Sequence, residues 1–200
     1  LKKTLKVGIT GGIGSGKTTV CKIFETLGIP VYYADDRAKQ LMVDAPLLVA
    51  SIKGIFGEAA YQADGALDRA FIAQAAFSDK EKLQRLNAAV HPAVLEDAVH
   101  WHNAQNGVPY TLKEAALLIE SGGNRLMDRL VVVTAPLALR LARVAARDGV
   151  PEAAVKARMD AQMPEEEKIK LADFIIQNDG QHPLVEQVLA IHRRLLCDEL

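Results

Sequence analysis

Short apolar runs alternate along this chain with longer segments of helical period. Leu5–Thr10 (LKVGIT) reads as a short apolar strand, and the residues from about 17 to Leu27 as the helix that follows it. The turn Leu27-Gly28-Ile29-Pro30 leads into a second strand at 31–34, after which Asp35 and Asp36 are placed to cap a helix ending near Met42. Leu47, Leu48, Ile52, Ile55 and Phe56 predict a helix over 46–56, and Gly57 stops it. The segment 61–66 (YQADGA) reads as a turn. Residues 67–106 carry mostly helix signals, with Leu83, Leu86 and Val90 on one face and a break expected near His91-Pro92. A buried strand is expected within 109–118. The run 130–134 (LVVVT) is the clearest strand of all, β-branched and fully apolar. Helices are expected at about 136–147, 151–162 and 164–171, a short strand at 174–176, and a closing helix over 183–197. Strands joined by helices call for a parallel sheet covered on both faces, with a ligand site at the C-terminal strand ends.

One stretch adds chemistry to that pattern. GGIGSGKT at 11–18 fits G-x-x-x-x-G-K-[ST] through Gly11, Gly16, Lys17 and Thr18, and it lies between a strand and a helix, the context this motif needs. Glycines let a backbone turn its N–H groups toward a phosphate without a Cβ in the way, and the helix N-terminus adds to that cradle. The loop residues Gly12, Ile13, Gly14, Ser15 and Gly16, with Lys17, Thr18 and Thr19, are therefore the candidate phosphate binders. Lys17 supplies charge for the β- and γ-phosphates, and the Thr18 hydroxyl is a ligand for Mg²⁺. The fold class follows as α/β: a P-loop three-layer fold with a parallel sheet covered by helices, a helical substrate-binding insertion and a short helical lid.

Composition narrows the classes of function. Half of the residues are hydrophobic and 24% are charged, an ordinary balance for a water-soluble domain. A net charge of −1 gives no general basic field, which argues against nucleic acid as partner. No apolar run approaches the roughly 20 residues of a membrane span, and the apolar stretch at the N-terminus is too short for a signal peptide. Cys21 and Cys197 lie far apart and form no metal-type pair, so free thiols and a cytoplasmic location are expected. A monomer or a weak homo-oligomer is expected.

A P-loop alone does not separate kinases, GTPases and motors. The chain has no Asn-Lys-x-Asp stretch to read guanine, which disfavours a GTPase. Asp35 follows the second strand, which is expected beside the first. It is either a base for an acceptor hydroxyl or a plain helix cap. Arg140, Arg143 and Arg147 fall at i, i+3, i+7, with Leu137, Leu141 and Val144 expected on the other side. The trio is either a lid that clamps triphosphate oxygens or a solvated face paired with Asp148 and Glu152. Arg158 belongs to the same lid or to the surface.

The ordered set of motifs resembles the dephospho-coenzyme A kinase family from about Leu5 to His192. It comprises TGGIGSGKT at 10–18, LGIPVYYADDRAK at 27–39, Leu86-Asn87 and His91-Pro92, ALLIESG at 116–122, LVVVTAP at 130–136, Arg143 with Arg147-Asp148, Gln162, and ADFIIQNDG at 172–180. The resemblance implies transfer of the γ-phosphoryl group of ATP to the ribose 3′-hydroxyl of dephospho-CoA. It implies Asp35 as base, Lys17 and Arg143 as its catalytic partners, and Arg147, Asn178 and Gly180 as further nucleotide contacts. Asp35, His91, Leu118 and Glu120 are implied at the acceptor. It also implies a core made of 1–60, 108–136 and 172–200, an acceptor-binding insertion over 61–107 and a lid over 137–171.

Two departures stand out. Tyr33-Ala34-Asp35 carries one carboxylate where relatives often carry two, and Glu114-Ala115-Ala116-Leu117-Leu118 lacks a common acid-x-proline pattern. Glu114 can still act on Mg²⁺ through water. Another P-loop nucleoside or nucleotide kinase, or an ATP-binding regulator, is the competing reading. His100-Trp101-His102 reads as a helix end rather than a metal site, because histidines at i, i+2 point to different faces. Glu165-Glu166-Glu167 suits the first turn of a helix, and Arg193-Arg194 the last turns of another.

Overall fold

The computed structural model describes residues 3–197, which fall into two compact units: one made of the chain up to Tyr33 together with Gln105 onward, the other of Ala34–Ala104. The first unit holds a five-stranded, all-parallel sheet of β1 (Leu5–Thr10), β2 (Val31–Tyr33), β3 (Tyr110–Glu114), β4 (Arg129–Thr134) and β5 (Phe174–Gln177), in the order β2-β3-β1-β4-β5. The central strands are buried almost end to end, as a parallel sheet covered on both faces requires, whereas the edge strand β5 alternates buried and exposed. β3 lies between β1 and β2, so the expectation that the second strand neighbours the first is corrected. The chain leaves β2 through helices and reaches β3 only after about 80 residues, and β3 takes the place beside β1.

Helices α1 (Lys17–Thr26) and α9 (Leu184–Cys197) share one core with the sheet. Val20, Cys21 and Phe24 from α1 and Val188, Ile191 and Leu195 from α9 pack with Val7, Ile9, Val131, Val133 and Ile176. Within it the Tyr110 hydroxyl lies 2.6 Å from His192 Nδ1, which gives a fully buried phenol its partner. Cys21 and Cys197 are both free, and burial, reinforced by the charge of Glu114, pushes the Cys21 thiol well up. The rest of this unit comprises α6 (Leu137–Asp148), α7 (Glu152–Asp160) and α8 (Glu165–Lys170).

The second unit comprises α2 (Ala34–Asp44), α3 (Pro46–Phe56), α4 (Arg69–Ser78) and α5 (Lys80–Ala104). Leu48, Ile52, Phe56, Ala60, Ile72, Ala76 and Leu86 form its core. Arg37 and Asp97 join α2 to α5 through two hydrogen bonds, at 2.6 and 2.9 Å. Gly57 ends α3 with φ 84°, as its type suggested. Residues 34–60, which the sequence reading keeps with the core, lie in this unit.

Two local expectations are corrected here. Asp35 and Asp36 do not cap α2 but lie inside its first turn, where their charge suits the positive end of the helix dipole. The helix does not break at His91-Pro92: α5 runs through Pro92. A proline inside a helix costs about 3 kcal/mol. Ala89, Val90 and Ala93 pack against the core on both sides of Pro92, which holds the two halves in line. The real break is at Asp79, whose Oδ1 accepts the N–H groups of Glu81 and Lys82.

Burial lowers the pKa of His192 below its ordinary value. As pH falls below about 6.5 the unfolded chain takes up this proton before the folded one does, so stability is full above that pH and is lost going down. We expect the urea midpoint to fall between pH 7 and 5 with a component that His192→Gln removes. An unchanged pH slope in that variant would contradict it.

Candidate active site

Between β1 and α1 the chain makes a loop over residues 11–16 whose carbonyls all have partners. Gly11 O accepts Lys17 Nζ at 3.1 Å, Gly12 O accepts Ser15 N at 3.1 Å, and Ile13 O accepts Arg140 Nε at 2.9 Å. Gly14 O accepts Arg143 Nη1 at 3.5 Å, and Ser15 O accepts Asn178 Nδ2 at 2.8 Å. A trans peptide points its N–H away from its C=O. Fixing the Ile13 and Ser15 carbonyls on Arg140 and Asn178 therefore turns the N–H groups of the same two peptides, those of Gly14 and Gly16, to the opposite side, where a phosphate belongs. The N–H groups of Gly14 and Gly16 have no partner among the described residues, and neither has the buried Ser15 hydroxyl. Gly14 and Gly16 take φ 79° and 94°, and a Cβ on either would run into Arg140 or Asn178. These are the marks of an anion cradle, and a nucleoside triphosphate fits it.

Lys17 opens α1, with its ammonium 3.9 Å from Glu114 Oε1 at the end of β3, both side chains about nine-tenths buried. Thr18 and Thr19 are exposed at the start of the same helix, where the first N–H groups of any helix lack intrahelical partners. Of the residues expected to hold a metal, Thr18 follows Lys17 in sequence and Glu114 lies near its ammonium, and an octahedral Mg²⁺ that keeps most of its waters needs no complete protein cage.

The arginine trio divides. Arg140 is 9% exposed and joins Ile13 O to Glu165 Oε2, 3.2 Å away, while Leu137 on the same helix is 54% exposed. Burial raises the Glu165 carboxyl, against the pull of Arg140. The expectation that the arginines and the apolar residues take opposite faces is therefore corrected. Arg140 and Val144 are four apart, share a stripe, and pack together against the P-loop. Arg143 reaches Gly14 O and Asn178 O. Arg147 bonds Asp148, and Arg158 meets the same carboxylate at 3.0 Å. Asp148 is the neighbour the solvated-face reading named.

Of the residues expected at the acceptor, Leu118 is 1% exposed and its side chain fills the space over Gly8. Glu120 pairs with Lys168 at 2.7 Å and accepts Met163 N at 3.1 Å. Burial opposes its charge, yet Lys168 and the backbone N–H groups of Glu120 and Met163 hold its pKa below the usual carboxylate value. Asp35, in the first turn of α2, and the exposed His91 in α5 belong to the helical unit. Gly180 turns the loop after β5 with φ 83°, beside Asp179, whose carboxylate accepts the N–H groups of Gln181 and His182. Backbone hydrogen bonds from His182 and Gln181 hold the Asp179 carboxyl down to about 2.

Sequence reasoning gave no role to Gln162, whose Oε1 accepts Ile13 N at 2.9 Å, or to Lys168, whose side chain is fully buried. It also missed that Asn178 and Arg140 hold the phosphate loop from behind. A lysine in a short acidic helix carries no burial signal. Arg140 was visible only as a member of the trio.

We expect Gly16→Ala to fold but to bind ATP at least about tenfold more weakly by calorimetry, since any side chain there strains the backbone and displaces Asn178. An unchanged Kd would contradict the account of the cradle.

The profile of the dephospho-CoA kinase family matches residues 5–183. The dephospho-CoA kinase of Salinibacter ruber is 44% identical over 176 residues, covering 87% of this chain and 88% of its own. Among solved structures, a Thermus thermophilus protein superposes with a TM-score of 0.86 at 36% identity, covering 98% of this chain and 99% of its own. The dephospho-CoA kinase from Campylobacter jejuni superposes with a TM-score of 0.73 at 26% identity, covering 96% and 97%. Matches of this extent place the phosphate cradle in a known setting: the chain belongs to the dephospho-CoA kinase family.

Proposed function

We infer that this protein transfers the γ-phosphoryl group of ATP to the ribose 3′-hydroxyl of dephospho-CoA, giving CoA and ADP, the last step in making coenzyme A. The observation that carries the reading is the preset cradle at residues 11–18, with Lys17 between Gly11 O and Glu114, in a chain that matches this kinase family from residue 5 to 183.

The chemistry of such a transfer is positioning and charge neutralisation. In our proposal the N–H groups of Gly14 and Gly16, the start of α1 and the Lys17 ammonium bind the β- and γ-phosphates. Bound Mg²⁺, held by the Thr18 hydroxyl and by Glu114 through water, would neutralise charge on the same oxygens. Arg143 and Arg147 would offset the charge that builds on the transferring group, with Arg147 leaving Asp148 to do so. Asn178 and Gly180 would line the nucleotide base. Asp35 would accept the proton of the 3′-hydroxyl, and His91 would contact the acceptor. The segment 137–171 would serve as the lid, and the helices within 61–107 would bind the CoA moiety. Among the described residues no helix is long and apolar enough to cross a membrane, in keeping with substrates that are dissolved in water.

ADP release with Mg-ATP should be strong and saturable with dephospho-CoA, and absent with AMP, adenosine or no acceptor. Signal with AMP or adenosine instead would overturn the acceptor, and release indifferent to any acceptor would overturn the transfer. We expect Asp35→Asn to fold and to bind ATP normally while kcat falls by roughly 10²–10⁴. Near-normal turnover would remove Asp35 as the base.

A further inference from the structure

Ile13 is held on three sides by the segment that follows β4. Its N–H donates to Gln162 Oε1 at 2.9 Å, its C=O accepts Arg140 Nε at 2.9 Å, and its side chain packs with Val144, Val155 and Met159. The residue after Gln162 faces a different loop. Met163 N donates to Glu120 Oε1 at 3.1 Å, and the same oxygen lies 2.7 Å from Lys168 Nζ. Two adjacent residues therefore tie the phosphate loop after β1 to the segment that follows its neighbour β3.

The Lys168 side chain is fully buried, and Glu120 is its ion-pair partner. A buried ammonium needs a partner of opposite charge, so the pair fixes the carboxylate, the carboxylate fixes Met163 N, and the backbone carries Gln162 with it. The consequence falls on the Ile13 peptide. With its N–H taken by Gln162, that peptide cannot turn its N–H into the cradle. The concave side is left to the N–H groups of Gly14 and Gly16.

We propose that Gln162 and the Glu120–Lys168 pair form a single clasp that sets the Ile13 peptide, and that they are positioning residues for nucleotide binding. Glu120 on this account supports the phosphate loop from behind and does not contact the acceptor. The inference rests on the reading of the loop as an ATP site, but not on the identity of the acceptor.

The test is calorimetric binding of Mg-ATP without acceptor, to the wild type, Gln162→Met, the charge-free pair E120Q/K168M, and the triple variant. Replacing both members of the pair leaves no unpaired charge in the interior. Thermal melts establish that each variant is folded. We expect Gln162→Met and the pair variant each to weaken ATP by about tenfold, the worth of a well-placed hydrogen bond. The triple variant should be no weaker than about twofold beyond either, because both act through one peptide. In steady-state kinetics the KM for ATP should rise while the KM for dephospho-CoA holds. A Kd within about twofold of wild type in either folded variant set, or a triple variant weakened by the full product of the two effects, overturns the clasp. A wild type that binds ATP but does not phosphorylate dephospho-CoA overturns the functional reading and leaves the clasp to be judged on ATP binding alone.

Discussion

A backbone can bind a triphosphate with its own N–H groups only if its carbonyls are turned away and satisfied elsewhere. In this chain Arg140, Arg143 and Asn178 take the carbonyls of Ile13, Gly14 and Ser15. The donors come from α6 and from the residue after β5. The sheet order β2-β3-β1-β4-β5 brings the last strand and the helix after β4 to the same side of β1, so the topology and the cradle are one arrangement. Wrong carbonyl orientation in any of these peptides would put a partial negative charge where the phosphate oxygens must lie.

The loop also explains why the segment over residues 137–171 is built as it is. That segment is fastened to Ile13 by hydrogen bonds to the Ile13 N–H and C=O and by apolar contact with its side chain. Arg140, which looked like one of three clamps, is a buried part of the backing. Arg147 is exposed and bonds its neighbour Asp148. Surface pairs of this kind are worth at most about 1 kcal/mol and yield readily to a phosphate.

Much of this was legible in the chain. A β-branched apolar run such as 130–134 favours a buried strand, the glycine pattern at 11–18 has one common use, and Gly57 marked the end of α3. The arrangement of strands in space was not legible, since a crossover of about 80 residues leaves β2 free to lie on either side of β3. Pro92 was misread because a local cost of about 3 kcal/mol was outweighed by packing on both sides of it, which no local pattern reports. The positioning residues were the hardest to see. Gln162 and Lys168 acquire their roles from contacts across 149 and 48 residues, and nothing in their neighbours along the chain marks them.

The most direct measurement of the central claim is the backbone amide spectrum of the labelled protein, recorded as Mg-ATP is added. A preset cradle predicts large downfield shifts of the Gly14 and Gly16 amide protons and a small one at Ile13, whose N–H is already held by Gln162. A shift at Ile13 as large as those at Gly14 and Gly16 would mean that the loop rebuilds itself around the nucleotide, and would contradict the account.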